Sequence, residues 1–423
     1  MPAVRRVGRG MLASLLVGRG AWRASLALSN LVLLAAWGSA VFARYAVVFG
    51  SSVALVQLVS CGVEKAALKL VPRARLARSL LVGGFLATGC LLAIPFLAWA
   101  LAAFALHRPG AGAFQVAVVA FQVLLGLNLV LVAMQRALGR PGYDVANFST
   151  LAVALLAIAG LAVAAGLTPL QVTAAEALVV ASLDVVLLRS LPVAPRVRAL
   201  WRRRRLLRGM LRTMALIGAY DLAGAAALSL VFVVLAGTRF RGDAGWLLLV
   251  TTMWSLVFSG FTYVLRVFQP QVSVALGRGV MEARRYALRL TRLAALGAGG
   301  WLLLVGGAML AHHGDVVGWL RGLPLPLLAA AVVLPRLPLL ALAGGAGYVL
   351  ENSDARSLLL AAAAAAAALA GVLGLSLLVV PLAGVPGAIL ALSGFEVLQV
   401  IALLTGLSAA SAPGRAAVAR GPA

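Results

Sequence analysis

Residues 196–212 read RVRALWRRRRLLRGMLR, a basic stretch that follows the apolar run 171–189 and leads into the apolar run 210–237. Each run is long enough to cross a bilayer as an α-helix, which takes about 20 residues. Arginines concentrate in the cytoplasmic loops of polytopic membrane proteins. The stretch therefore indicates a helical membrane protein with a cytoplasmic loop near the middle of the chain.

The composition of the whole chain agrees with this interpretation. Hydrophobic residues make up 63% of the 423 residues and charged residues 11%, whereas a soluble domain has about 25% charged residues. The mean hydropathy is +1.06. The apolar runs lack the alternation of apolar and polar residues that transmembrane β-barrels show. These observations exclude a soluble domain and predict an all-α integral membrane protein.

Apolar runs recur on both sides of the basic stretch. We count twelve candidate transmembrane helices, at residues 19–42, 47–71, 79–105, 113–135, 146–166, 171–189, 210–237, 244–267, 292–311, 323–349, 357–380 and 385–408. We therefore expect an N-terminal six-helix lobe (1–195), a basic cytoplasmic loop (196–212), and a C-terminal six-helix lobe with a short cytoplasmic tail (213–423). Two such lobes around a central cavity are typical of transporters.

The distribution of basic residues predicts the orientation. With the N-terminus in the cytoplasm, 29 of the 36 Lys and Arg residues fall in cytoplasmic segments and 5 fall in outer loops. This asymmetry follows the positive-inside rule and predicts a multi-pass plasma-membrane protein with both termini in the cytoplasm. The net charge of +25 therefore indicates contacts with anionic membrane lipids rather than with nucleic acid.

Four stretches, taken in their order and spacing, resemble a known superfamily: FARYAVVFG (42–50), SCGVEKAALKLVPR (60–73), FQPQVSVALGRGVMEARRYALRLTR (268–292) and VVPLAGVPGAILAL (379–392). They are similar to the first outer loop, the second helix, the end of the eighth helix and the entry to the twelfth helix of the multidrug/oligosaccharidyl-lipid/polysaccharide (MOP) exporters. The basic segment after helix eight is more similar to the polysaccharide flippase branch. One departure is AVVFG, which stands where the superfamily has a GPEEFG-like loop.

The resemblance implies a flippase that moves a polyprenyl-pyrophosphate-linked oligosaccharide to the outer leaflet by alternating access, beside a polysaccharide polymerase and glycosyltransferases. The alternative is a cation-coupled drug or metabolite antiporter of the same superfamily. A membrane glycosyltransferase is disfavoured because the outer loops with Asp243 and Asp315 are short, and a scaffold without transport is the remaining class. The sequence lacks GxxxxGK[ST], HExxH and a nucleophile elbow, so we expect no enzyme, no metal and no cofactor.

Two pairs of cations lie near the cytoplasmic ends of the first two predicted helices. Arg19 and Arg23 are four residues apart, as are Lys65 and Lys69. Residues at this spacing share a helix face, where like charges repel. A pyrophosphate between them would relieve the repulsion, so we expect all four to bind the substrate. The alternative is that they extend to lipid headgroups.

Arg336 lies in an apolar run between Pro335 and Pro338. Proline removes a backbone hydrogen bond and opens the helix, and an opened turn is tolerated in a membrane only where it is buried in protein or lines a water-filled cavity. We expect Arg336 to contact the phosphate or sugar acid of the substrate from the C-terminal lobe. The alternative is a structural ion pair with Asp221 or Glu396.

Asp221 and Glu396 lie within predicted spans, and Asp184 is a further acid of this kind. Because buried carboxylates of transporters carry protons or bind sodium, we expect Asp221 and Glu396 to couple transport to an ion. They alternatively pair with Arg336 or Arg266, or stay neutral. The charged residues that we place inside the spans are six basic and four acidic. This excess of cations favours a pyrophosphate substrate, and hence the flippase.

Overall fold

A computed structural model describes residues 9–256 apart from 72–73, 107–110, 193, 195–198 and 201, then residues 259, 339, 342–347 and 350, and finally residues 355–410. The chain divides into two compact units, residues 1–260 and 261–423. Regular structure in the described residues is helical throughout, with no strand. The predicted all-α membrane fold is therefore confirmed.

The first unit contains nine described α-helices and two short 3-10 helices, Arg75–Ala77 and Arg241–Asp243. The α-helices are α1 (Arg9–Ser52), α2 (Ala54–Ser60), α3 (Val63–Leu70), α4 (Arg78–Leu106), α5 (Ala111–Ala137), α6 (Gly142–Ala165), α7 (Pro169–Arg189), α8 (Arg204–Ala236) and α9 (244–256). The division of the chain into lobes at 196–212 stays a prediction.

Eight segments among the described residues are long and apolar enough to cross a membrane, and one of them, 17–70, contains two predicted spans. The predicted span 292–311 lies outside the described residues, as does most of 323–349 with Arg336. The stretch 268–292, which carries part of the resemblance, also lies outside them.

Gly38, inside the first predicted span, interrupts α1 with φ 73° and ψ 169°. The rings of Trp37 and Tyr45 lie 5.3 Å apart across this interruption, although eight residues of straight helix rise about 12 Å. The chain therefore turns at Gly38, where only glycine adopts such a backbone conformation readily. The prediction of an outer loop in 42–50 was wrong, because these residues, including Arg44, are helical. The turn between the two spans lies earlier, at Gly38, and the apolar run after it is part of the next helical segment.

A second interruption separates α2 from α3. Cys61 has φ 37° and ψ 47°, and Gly62 has φ 68°. A Cβ atom on Gly62 would lie 2.5 Å from the nitrogen of Gly218 and 2.7 Å from the carbonyl oxygen of Met214, both in α8. The missing side chain thus permits direct contact between the backbones of the α2–α3 junction and α8, and this contact fixes the start of α3.

Helix directions in the first unit agree with the predicted alternation of spans. Arg19 of α1 contacts Asp144 at the start of α6, and the indole nitrogen of Trp37 donates to the carbonyl oxygen of Leu167 just after α6, at 2.8 Å. α1 up to Gly38 and α6 therefore run in the same direction, as expected for the first and fifth spans.

In the second unit two long helices pack together, α10 (Ala355–Ala383) and α11 (Val385–Ala410), and residues 342–347 are also helical. Gly384, with φ 64°, forms the turn between them. The alanine block at 361–368 buries one face of α10, as small residues at helix contacts do in membranes. Added Cβ atoms at Gly371 and Gly394 would lie 2.4 and 2.7 Å from leucine side chains, so the two helices approach closely.

Candidate functional site

Four charged side chains from four helices form an ionic network at one end of the first unit. Arg19 of α1 lies 2.9 Å from Glu64 of α3 and 3.2 Å from Asp144 of α6. Arg136 of α5 contacts the same two carboxylates, at 2.9 and 3.2 Å. Arg19 also lies over the Phe148 ring, 4.8 Å from its centroid. We call these four charged residues the ionic network; it is charge-balanced and nearly buried.

The ionic network changes the interpretation of Arg19. The hypothesis of a bound anion required a repulsive pair of cations, but Arg19 is already held by two carboxylates of the protein. Breaking a buried ion pair leaves an uncompensated charge at a high cost. The network therefore holds α1, α3, α5 and α6 together, and a substrate role for Arg19 stays a prediction.

Lys65 forms a separate ion pair with a different helix. Its Nζ lies 2.7 Å from Oδ1 of Asp221 in α8 and 5.2 Å from the centroid of the Tyr220 ring. Lys65 lies about one helical turn after Gly62, and Asp221 lies about one turn after Gly218, the glycine that Gly62 contacts closely. Asp221 thus takes Lys65 as a partner, whereas the sequence suggested Arg336 or Arg266. Lys69, one turn further along α3, is half-buried.

Arg23 borders a cavity of about 150 Å³ inside the first unit. The cavity lies between α1, α2, α5, α6, α8 and α9, and aromatic and aliphatic side chains form most of its wall. The guanidinium carbon of Arg23 lies 4.3 Å from the centroid of the Trp22 ring. Arg23 therefore has a different setting from Arg19, one turn away on the same helix, and its role in substrate binding stays a prediction.

A second polar group lies buried between α5, α6 and α7. Asn128 donates through Nδ2 to Asp184 at 2.9 Å and to Asn147 at 3.1 Å, and Asn147 donates back to Asn128 at 2.9 Å. We call these three residues the amide–carboxylate cluster. Asp184 is 6% exposed, and its Oδ2 has no hydrogen-bond partner among the described residues. A carboxylate oxygen in this setting is able to hold a proton or a cation.

The remaining predicted site residues are placed differently. Glu396 is buried in α11 near Gln399 and Ser393, which are also buried, so the second unit contains a polar group as well. Its coupling role and that of Asp221 stay predictions. Arg336, the expected contact of the C-terminal lobe, lies outside the described residues.

Sequence reasoning missed several residues that the structure brings together. Asp144 was not considered, and Arg136 was counted only among the basic residues of the cytoplasmic segments, because each lies at the end of an apolar run. Asn128, Gln122 and Glu176 are buried inside spans and were not considered. Polar residues inside apolar runs are expensive in a membrane and mark functional or structural contacts, so a search for uncharged polar residues as well as charges would have found them.

Comparison with known proteins places this geometry in a known fold. No protein-family model matches the sequence, and no curated protein matches it. The solved structure of the MATE multidrug transporter DinF-BH in complex with R6G matches with a TM-score of 0.67 and 14% identity over 96% of each chain. A multidrug resistance MATE family transporter of the MOP superfamily, inward-facing, matches with a TM-score of 0.61 and 14% identity over 96% of each chain.

A third solved structure is a MOP superfamily transporter from Pyrococcus furiosus, whose reversed pocket polarity suggests a different function. It matches with a TM-score of 0.52 and 15% identity, over 94% of this chain and 96% of the other. Identities at this level establish the fold alone. The protein therefore has the fold of the MATE transporters.

Proposed function

We propose that the protein is a transporter of the MOP superfamily, not an enzyme, which exchanges a drug-like solute or metabolite for a cation. Its fold is that of MATE transporters, and its first unit contains an internal cavity and a buried carboxylate. The ionic network and the Lys65–Asp221 ion pair also remove one argument for the flippase, because Arg19 and Lys65 have carboxylate partners. Two of the six basic residues that we placed inside the spans are thus paired with carboxylates in the structure.

The observation that carries this proposal is the amide–carboxylate cluster. Asp184 is held on one oxygen by Asn128, while its other oxygen has no partner among the described residues. Buried carboxylates of this kind are functional in transporters, because occupation by a proton or cation changes their charge and hence the preferred conformation. The cluster thus provides an ion site outside the solute cavity.

Transport in proteoliposomes tests the proposal. Vesicles with an imposed sodium or proton gradient would be offered cationic, neutral and anionic amphipathic solutes, and gradient-driven accumulation would be measured. We expect accumulation of at least one solute, and we expect Asp184→Asn to abolish the gradient dependence. Asp243→Asn, in an exposed 3-10 helix, serves as the control. Gradient-driven accumulation by Asp184→Asn at the wild-type rate would refute the assignment of Asp184.

The second candidate is the flippase for a polyprenyl-pyrophosphate-linked oligosaccharide. Arg23 at the cavity favours it, and Lys69 supplies a further cation on α3. In this function Arg19, Lys65 and Arg336 are further contacts for the lipid phosphate, and a polymerase and glycosyltransferases are partners. Neutralising Arg23 and Lys69 together should then abolish glycolipid export at unchanged protein levels. Export at the wild-type rate would exclude these two residues as phosphate contacts.

We further propose that the protein lies in the plasma membrane with both termini cytoplasmic and with its basic segments against anionic lipids. Arg204, Arg205, Arg208 and Arg212 at the start of α8 are exposed, which leaves them accessible to headgroups. Reporter fusions at the C-terminus and near residue 200 should both give cytoplasmic signals. An external signal at either place would contradict the twelve-span arrangement.

A further inference from the structure

We propose that the cavity inside the first unit binds an uncharged solute with a single aromatic ring and a hydrogen-bond acceptor, to which Gln122 donates. The inference rests on the proposed function, because it takes this cavity as the place where the transported solute binds. It adds the chemical class of the solute and names Gln122, a residue without charge, as the contact that selects this class.

The first argument is the size and composition of the cavity. Leucines and valines form much of its wall, which also includes four aromatic side chains, those of Trp22, Phe49, Phe121 and Phe232. The cavity volume is about 150 Å³, and an apolar protein cavity of about this volume binds benzene. The space therefore fits one aromatic ring and is too small for a larger fused ring system.

Close packing holds the aromatic rings of the wall in place. A Cβ atom on Gly50 would lie 2.4 Å from the ring of Phe232, so this ring packs directly on the backbone of α1. The rings of Phe49 and Phe121 lie 6.0 Å apart, tilted by 34°. Because packed side chains of this kind do not collapse freely into a neighbouring space, we expect the cavity to be preformed, as small-molecule sites usually are.

The second argument is an unpaired donor. Gln122 of α5 lines the cavity and is 1% exposed, and its Nε2 has no hydrogen-bond partner among the described residues. Buried donors are almost always paired, so this one indicates a missing acceptor. Gln57 of α2, also in the wall, accepts a hydrogen bond from the Ser60 hydroxyl on its amide oxygen at 3.3 Å. Its NH₂ group supplies a second donor for a ligand.

The hydroxyl groups of the wall that belong to α9 add no further donors. Thr251, Thr252 and Ser255 donate to backbone carbonyl oxygens of their own helix at 2.7 to 3.1 Å. Thr252 also accepts a hydrogen bond from the amide of Asn30 at 3.3 Å. The uncharged donors left in the described wall are therefore amide groups, and a carbonyl or ether oxygen on the bound ring matches them.

The third argument is charge. No carboxylate is among the described residues that line the cavity, so a cationic ligand would be buried without a counter-charge, which is costly. Arg23 is in the wall, but its guanidinium lies 4.3 Å from the centroid of the Trp22 ring and takes part in a further interaction. It is therefore already engaged within the protein. An uncharged solute meets the aromatic wall and the amide donors without burying a new charge.

Equilibrium binding to the full-length protein in nanodiscs tests the inference without an ion gradient, with empty nanodiscs as the reference for partition into lipid. The probes are acetophenone, isopropylbenzene, 1-phenylethylammonium and benzoate, which share one ring and differ in acceptor and charge. We expect acetophenone to bind at least fivefold more tightly than each of the others. Gln122→Met, which keeps the length of the side chain and removes the amide, should reduce acetophenone binding at least fivefold. Unchanged binding of isopropylbenzene by this variant shows that the cavity is intact.

A second variant tests the location of the site. Ala225→Leu, which extends a side chain of α8 that lines the cavity, should abolish the binding of both acetophenone and isopropylbenzene. The matched control is Gly224→Ala, where a Cβ atom meets nothing within 4 Å, and it should leave both unchanged. Retention of binding by Ala225→Leu would place the site elsewhere and overturn the inference.

Two other outcomes would also overturn it. One is tighter binding of isopropylbenzene, benzoate or the ammonium probe than of acetophenone, and the other is wild-type acetophenone binding by Gln122→Met. Because no gradient is present, binding survives if only the coupled transport proposed above is wrong. Gradient-driven transport that acetophenone does not inhibit would instead refute this inference alone.

Discussion

Arg19 and Arg23 lie one turn apart on α1, yet their side chains lie in different environments. Arg19 is part of the ionic network, in which two arginines and two carboxylates from four helices balance their charges. Arg23 faces a cavity with aromatic walls and no described carboxylate in its lining. Equal charges on one helix face thus perform different tasks, because the partners come from other helices. The first region holds the bundle together, and the second borders an internal cavity.

Asp144→Ala should have the largest effect. It leaves Arg19 and Arg136 with a single shared carboxylate, and a buried charge without its partner costs about 3–5 kcal/mol of stability. The free energy of unfolding in mixed detergent–SDS micelles measures this loss. Removing Arg136 and Asp144 together, as Arg136→Gln with Asp144→Asn, should cost less than Asp144→Ala, since one cation and one anion leave at once. A loss no greater than that of exposed Asp243→Ala would mean that the ionic network does not stabilise the bundle.

Gly62→Ala should cause the second-largest loss in the free energy of unfolding. The added Cβ atom would lie 2.5 Å from the backbone of Gly218, and alanine at φ 68° adds strain of about 1–3 kcal/mol. Because α3 carries both Glu64 and Lys65, its displacement should weaken the ionic network and the contact with α8 together. The matched control is Gly224→Ala in α8, where a Cβ meets nothing within 4 Å. That variant should be neutral or slightly stabilised, and equal effects of the two variants would contradict the role of the junction.

The same division separates the features that the sequence predicts from those that it does not. Long apolar runs predicted the described membrane-spanning helices, because hydropathy and length are local properties. The partner of each charge was not predictable in this way. Arg19 and Asp144 are 125 residues apart in the chain, and the sequence contains no local signal that joins them. The turn at Gly38 was also misplaced, since the apolar run continues through it.

Lys65 and Asp221 provide an intermediate case. Their side chains are 11% and 22% exposed, so water screens the pair more than it screens the ionic network. Lys65→Met should cost about 1–3 kcal/mol, between the values for exposed and buried pairs. A double-mutant cycle with Asp221→Asn measures the coupling between the two residues. Coupling near zero would show that α3 is held to α8 by the glycine contact alone.

Arg23→Gln should have the smallest effect on stability, and it tests the comparison directly. Arg23 contributes a cation–π contact with Trp22, which is worth about 1 kcal/mol, but it is not a member of the ionic network. The unfolding free energy should therefore fall less than it does with Arg19→Gln, which should approach the loss seen with Asp144→Ala. Both substitutions remove one positive charge from the same face of α1. Equal losses would show that Arg23 also holds the bundle together.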